Sequence, residues 1–156
     1  MTRSPRLLIA FLLTLTLTAC TKHDHEKPTS GGHVHTAPHG GTLVELGEHA
    51  YSLELVRDAA TGRLSAYVLD GHAENFIRVK AASLEIVATV GTEKRPLMFR
   101  AMANPATGET VGDTSQFDAE AEWLKTTATF DARLTAIEIR GTRFTDVAFN
   151  FPQGKD

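Results

Sequence analysis

The chain has 156 residues, of which 42% are hydrophobic, and its 16 basic and 19 acidic side chains leave a formal net charge of −3. This length suits one domain with a core of its own. The negative charge argues against nucleic acid as a partner, and the chain has no basic amphipathic helix of the kind that binds a membrane surface.

Residues 1–19, at the start of the chain, are typical of a lipoprotein signal peptide. Arg3 and Arg6 give a positive start, and residues 7–17 form an apolar run that is too short to span a bilayer. The run ends in the letters LTAC at Cys20, which resemble the lipobox of bacterial lipoproteins, in which the cysteine is lipidated and becomes the first mature residue. An ordinary secretory signal with a chance cysteine is the alternative.

Cys20 is the only cysteine, so the sequence predicts no disulfide and no cysteine-ligated zinc. Lipidation of Cys20 would anchor the protein to a lipid bilayer in the cell envelope, facing the periplasm or the cell exterior. Thr21 stands where inner-membrane lipoproteins of Gram-negative bacteria usually carry Asp. Its presence favours the outer membrane if the source is Gram-negative.

A flexible tether is predicted at residues 20–38, directly after the signal peptide and starting at the lipidated cysteine. Val34 is the only large aliphatic residue in a segment rich in Pro, Gly, Ser and His. Such a segment cannot bury enough apolar surface to fold by itself.

Histidine is the unusual feature of the tether, which carries two H-x-H pairs just before an H-G-G motif. The histidines of this tract are His23, His25, His33, His35 and His39. Neutral imidazole suits Cu, Zn and Ni, and histidine-rich tracts are typical of metal binding. A polar, solvated linker that happens to use histidine is the alternative.

A β-hairpin from His49 to His72 is the centre of the predicted domain. Apolar and polar residues alternate on both sides of a turn in which Gly62 can adopt a left-handed conformation. Pairing Asp58 with Arg63 puts the two apolar faces on one side of the hairpin, and a slip by one residue would destroy this match. The same register sets the two terminal histidines opposite each other, with Cβ atoms about 4.5–5.5 Å apart.

Two opposed imidazoles can share one metal ion. The carboxylates at the same end of the predicted fold are Glu48, Asp70 and Glu74, of which Glu74 is predicted to join His49 and His72. Two histidines and a carboxylate form a common ligand set for Zn or Cu. Exposed loop histidines that bind no metal are the alternative. His39 is expected near the Asp58–Gly62 turn, about 20 Å from His49, and therefore in a different place.

Short strands continue through the rest of the domain, with one or two helical turns at 119–124 and Trp123 at one end of the fold. The further strands are predicted at residues 42–46, 76–79, 83–90, 97–103, 126–130, 134–139 and 144–151. About eight short strands with little helix predict an all-β antiparallel sandwich of immunoglobulin-like size over residues 39–152, with an open barrel as the alternative. Residues 153–156 are a polar tail.

Enzyme signatures are missing from the sequence. It has no G-x-S-x-G elbow, no H-E-x-x-H, no P-loop and no cysteine nucleophile. We therefore expect no catalytic activity and no organic cofactor.

Residues 39–79 carry H-G-G followed by LVELGEHAYSLELV and YVLDGHAEN. This pattern resembles small bacterial extracytoplasmic lipoproteins and the β-rich N-terminal extensions of some heavy-metal efflux adaptor proteins. The chain lacks the helical hairpin and lipoyl-like parts of an adaptor, so the resemblance implies metal handling and no reaction.

Two functions stay open at this point. One is a lipoprotein that binds Cu, Zn or Ni as an accessory to metal handling or efflux, with an envelope metal-efflux component as a partner. The other is a non-catalytic β-sandwich interaction module of the cell envelope.

Overall fold

A computed structural model describes residues 35–155, which form one compact unit. Its strands are β1 Thr42–Leu46, β2 Tyr51–Asp58, β3 Arg63–Asp70, β4 Ser83–Val90, β5 Glu93–Ala101, β6 Gln116–Glu120, β7 Phe130–Ile139 and β8 Thr142–Phe151. A short 3₁₀ helix, Glu122–Lys125, lies between β6 and β7. The predicted signal peptide, Cys20 and the tether as far as residue 34 lie outside the described residues.

The eight strands form one antiparallel sheet in the order β1-β2-β3-β6-β5-β4-β7-β8, which confirms the all-β antiparallel prediction. The sheet curls until its two edges approach each other. Lys155, in the predicted tail, accepts the N–H of Glu45 at 3.0 Å and donates its own N–H to the carbonyl of Leu43 at 3.2 Å. The architecture is therefore closer to a barrel, the alternative named above, than to a sandwich of two sheets.

The core consists of the inward side chains of all eight strands, as period-two alternation predicts. Phe99 of β5 and Phe117 of β6 are the largest side chains that are wholly buried. Trp123, expected at one end of the fold, is only partly buried and meets Phe130 edge-on, whereas the next residue, Leu124, is fully buried.

The central hairpin has the predicted register, since Asp58 pairs with Arg63 and Leu53 with Val68. Gly62 has φ +76°, the left-handed conformation expected of it. The Asp58 carboxylate stabilises the turn by accepting the N–H of Ala60 at 2.9 Å. The register could be predicted because it depends on contacts between residues close in sequence.

Several other predicted elements were wrong. Residues 76–79 form two isolated bridges rather than a strand, because β6 occupies the place beside β3. Residues 126–130 and 134–139 were predicted as separate strands, but Phe130–Ile139 is one continuous strand. The helical turns predicted at 119–124 begin later, after β6 has ended at Glu120.

Candidate functional site

Three histidines, His35, His49 and His72, meet at one end of the central hairpin, and we call them the histidine cluster. The centre of the His35 ring lies 6.1 Å from that of His49 and 5.7 Å from that of His72. The rings meet edge to face, with interplanar angles of 63° and 84°. His35, expected in the flexible tether, thus contacts both His49 and His72, the two histidines predicted to share a metal ion.

His49 owes its position to the turn between β1 and β2. It adopts a left-handed conformation, with φ +57°, two residues after Gly47 at φ +72°. Its N–H donates to Glu45 Oε1 at 2.5 Å, and its Nδ1 lies 3.6 Å from the same oxygen. A carboxylate on the Nδ1 side leaves Nε2 as the nitrogen that can bind a metal.

His72 lies in the turn that follows β3, and Asp70 holds this turn. The Asp70 carboxylate accepts the N–H of Glu74 at 2.9 Å and the side-chain amide of Asn75 at 2.6 Å. Burial raises the pKa of Asp70, but the hydrogen bonds from Asn75 and from the N–H groups of residues 72, 74 and 75 outweigh it, so the net pKa is lowered. Asp70 therefore stays ionised and shapes the turn.

The expected pairing of His49 with His72 as ladder neighbours is wrong. The ladder ends at Tyr51 and Asp70, after which both chains turn away from strand geometry. Gly71 packs against the carbonyl of His49 so closely that a Cβ would not fit there. The two imidazoles are joined instead through His35, which contacts both.

Glu74, the predicted carboxylate ligand, gives its N–H to Asp70 and has an exposed side chain. In residues 35–155, no three His, Cys, Asp or Glu side chains are already arranged to hold a metal ion. The ring separations are nevertheless suitable. With Zn–N bonds of about 2.0–2.1 Å, two imidazoles on a tetrahedral ion have ring centres roughly 5–6 Å apart. The three rings do not converge on one point as they stand, so metal binding would require the cluster to rearrange.

His39 lies elsewhere, over the outer face of β2 and β3. Its Nδ1 is 2.8 Å from Glu54 Oε2, and its ring stacks on Tyr67 with centres 4.1 Å apart. The expectation that His39 lies near the Asp58–Gly62 turn is wrong. A turn closed by the Gly40 N–H and the Ala37 carbonyl brings His39 back over the middle of the hairpin.

A cavity of about 380 Å³ opens beside His39. It is lined by His39, Tyr67, Phe76, Arg78, Asn104, Thr107, Glu109, Ser115 and Gln116. Arg78 at its rim lies 3.9 Å from Glu109 and 3.7 Å from Asp113. The guanidinium charge is thus already balanced by carboxylates, which leaves the cavity without a free cation of its own among the described residues.

Glu109 is buried in the wall of this cavity and ties together the loop before β6. Its carboxylate accepts the N–H and the hydroxyl of Ser115 at 2.8 and 2.7 Å, and the hydroxyl of Thr107 at 2.8 Å. Burial raises its pKa, but these hydrogen bonds and the charge of Arg78 outweigh the burial, so the net pKa is lowered.

We expect Glu109→Gln to destabilise the domain at neutral pH by about 1–3 kcal/mol, because an amide cannot accept all the hydrogen bonds that the carboxylate accepts. A lowered pKa in the folded state contributes stability above the unfolded-state pKa, and that stability is lost as the pH falls through the folded-state pKa. The difference in unfolding free energy between wild type and variant should therefore shrink as the pH falls below about 4.5. Urea unfolding as a function of pH measures it.

Glu122→Gln is the matched control, since the Glu122 side chain is 88% exposed and its one ion pair within residues 35–155 is with Lys125. We expect little change from it at any pH. A stability difference for Glu109→Gln that stays constant down to the lowest pH at which the protein is folded would contradict the role given to the ionised carboxylate.

Comparisons with protein-family models, with curated proteins and with solved structures find no match to this chain. No helix among residues 35–155 is long and apolar enough to cross a membrane. Three predicted metal ligands, His23, His25 and His33, and the predicted lipidation site Cys20 lie outside the described residues.

Proposed function

We propose that this protein is a non-catalytic, membrane-anchored extracytoplasmic lipoprotein that binds Cu, Zn or Ni ions as an accessory to metal handling or efflux. The observation that carries the proposal is the packing of His35 against both His49 and His72. Imidazole is a ligand for all three metals, and three such rings with a carboxylate beside one of them form a reasonable ligand set.

The proposal divides metal binding between two places. His23, His25 and His33 supply ligands on the tether, where binding must order the chain and should therefore be weak and exchangeable. The histidine cluster supplies ligands on a folded scaffold, where binding has to order fewer residues than it does on the tether. A lipid anchor at Cys20 would keep the tether sites and the histidine cluster at the membrane, within reach of an envelope metal-efflux component. In a Gram-negative cell this would be the outer membrane.

One observation favours the second candidate function, an interaction module of the cell envelope. Phe76, Met98 and Met102 are large apolar side chains that remain 38–51% exposed. Met98 and Met102 lie on the same face of the sheet, since they are four residues apart along β5 and its end. Exposed apolar side chains of this kind can serve as contacts for another protein.

A metal titration separates the two functions. Residues 21–156 form a soluble version that retains the whole compact unit, and Co²⁺, Zn²⁺ and Ni²⁺ are titrated in turn, with Cu²⁺ in competition against a chelator. We expect a variant with His23, His25 and His33 changed to Ala to lose the weaker sites and to keep one site. Absence of binding by the unsubstituted protein would leave the interaction module as the function.

A further inference from the structure

We propose that His39 is a positioning residue and not a metal ligand: with buried Glu54 it clamps residues 35–41 to the sheet and so holds His35 in the histidine cluster. This inference rests on the proposed function for its role in metal binding. The clamp itself is a separate property of the metal-free protein.

Glu54 is the fixed half of the clamp. Its side chain is completely buried, although it projects from β2 on the side opposite the core residues Leu53 and Leu55. Its neighbours across the ladders are Leu43 of β1 and Tyr67 of β3. A carboxylate in such a place requires hydrogen-bond donors, since an unsatisfied buried charge is strongly unfavourable.

Residues 39–41 supply those donors. Glu54 Oε1 accepts the N–H of His39 at 2.7 Å and the N–H of Gly41 at 2.9 Å, and Oε2 contacts His39 Nδ1 at 2.8 Å. If this segment left the sheet, all three interactions would be lost together. The docked position of the segment is therefore stabilised by three charge-assisted interactions with one carboxylate.

Aromatic packing and a close backbone approach reinforce the clamp. The His39 ring stacks on Tyr67 and lies 5.6 Å from the ring of Phe76. Gly41 passes so close to β2 that a Cβ on it would lie 2.5 Å from the carbonyl oxygen of Leu55. Contact with the sheet thus explains His39 and Gly41 of the H-G-G motif, whereas Gly40 has open space around it and a left-handed φ of +68°.

The clamp limits where His35 can lie. His35 precedes His39 by four residues, a span of at most about 14 Å when fully extended. The cluster rings are near one end of β2, and Glu54 is near its middle, so His35 can contact His49 and His72 while His39 is clamped. Release of His39 would let His35 leave His49 and His72 and would lower its effective concentration at the cluster.

The contact between His39 Nδ1 and Glu54 also occurs in metal sites, since a histidine that binds a carboxylate through one nitrogen often binds a metal through the other. The surroundings of His39 argue against a metal site here. Its ring packs against Tyr67 and Phe76. Among the described residues, the histidine rings that contact one another are those of the cluster, and His39 is not one of them.

Two substitutions distinguish a positioning residue from a ligand. His39→Asn places an amide N–H where Nδ1 stands and keeps the hydrogen bond to Glu54, but it has no imidazole. His39→Ala removes both. Both are made in residues 21–156 with His23, His25 and His33 changed to Ala, and Co²⁺ and Zn²⁺ affinities are measured.

We expect His39→Ala to weaken binding by at least about tenfold, as substitutions that misplace a ligand do, and His39→Asn to stay within about threefold of the parent. Equal losses in the two variants would make His39 a ligand and overturn the proposal. Unchanged affinity in His39→Ala would overturn it as well.

The metal-free proteins give a readout that does not depend on metal binding. NMR contacts between the imidazole protons of His35 and His72, and slow exchange of the Gly41 N–H, should be present in the parent and in His39→Asn, and lost in His39→Ala. Their persistence in His39→Ala would overturn the clamp. If neither this parent nor unsubstituted residues 21–156 bind metal, the proposed function fails, and these measurements alone decide whether the clamp exists.

Discussion

Alanine substitution of any one of His35, His49 and His72 should lower the affinity of the domain for metal about tenfold or more. Each substitution removes one imidazole from a cluster in which the His35 ring lies about 6 Å from each of the other two. The double variant His49→Ala/His72→Ala should bind little more weakly than either single variant. Such non-additivity is expected of ligands that share one ion.

These variants are best compared in a background where His23, His25 and His33 are Ala, because weak sites on the tether would otherwise mask the loss. Isothermal titration with Zn²⁺ and the visible spectrum of bound Co²⁺ measure affinity and ligand geometry. Glu122→Ala is the control, since Glu122 is exposed on the 3₁₀ helix, which contacts Arg57 near the other end of the hairpin. Additive losses, or losses no larger than that of the control, would show that the cluster is not a shared site.

Cys20→Ser should abolish membrane attachment of the mature protein. The hydroxyl of Ser cannot form the thioether of a bacterial lipoprotein, so no acyl chains would be attached. Each buried CH₂ group of a lipid contributes about 0.8 kcal/mol, and stable anchoring needs more than one chain or signal. The variant should therefore appear in the soluble fraction or remain as an uncleaved precursor.

Thr21→Ser is the matched control for this experiment, because it changes the neighbouring residue and keeps the cysteine. Cell fractionation and mass spectrometry of the intact protein determine location, cleavage and lipid content. A Cys20→Ser protein of mature size that still carries lipid and sediments with membranes would contradict the lipobox interpretation.

The hairpin shows how much of the fold could be read from local pattern. Alternation of apolar residues and a turn at Gly62 were enough to predict that Leu53 pairs with Val68 and Tyr51 with Asp70. Both depend on residues near each other in the chain, where one register matches the apolar faces and the next does not.

The ends and neighbours of that hairpin could not be predicted in the same way. The ladder stops before His49, where Gly71 packs against the His49 carbonyl, and this contact between two turns leaves no periodic signal in the sequence. The placement of β6 beside β3, and of Lys155 beside Val44, joins residues far apart in sequence. Many alternative pairings of short strands satisfy the same alternation, so only packing of the complete core selects among them.

Glu54 shows the difference between pattern and packing most clearly. Alternation placed it correctly on the side of β2 that faces away from the core, where a carboxylate would ordinarily meet water. In the folded chain residues 39–41 cover it, and it is wholly buried. Periodicity reports which side of a strand a residue occupies, whereas a distant segment determines whether that side is exposed, because burial is a property of everything that packs there. The same covering segment brings His35 to His49 and His72, and so the third member of the candidate site came from the folded structure.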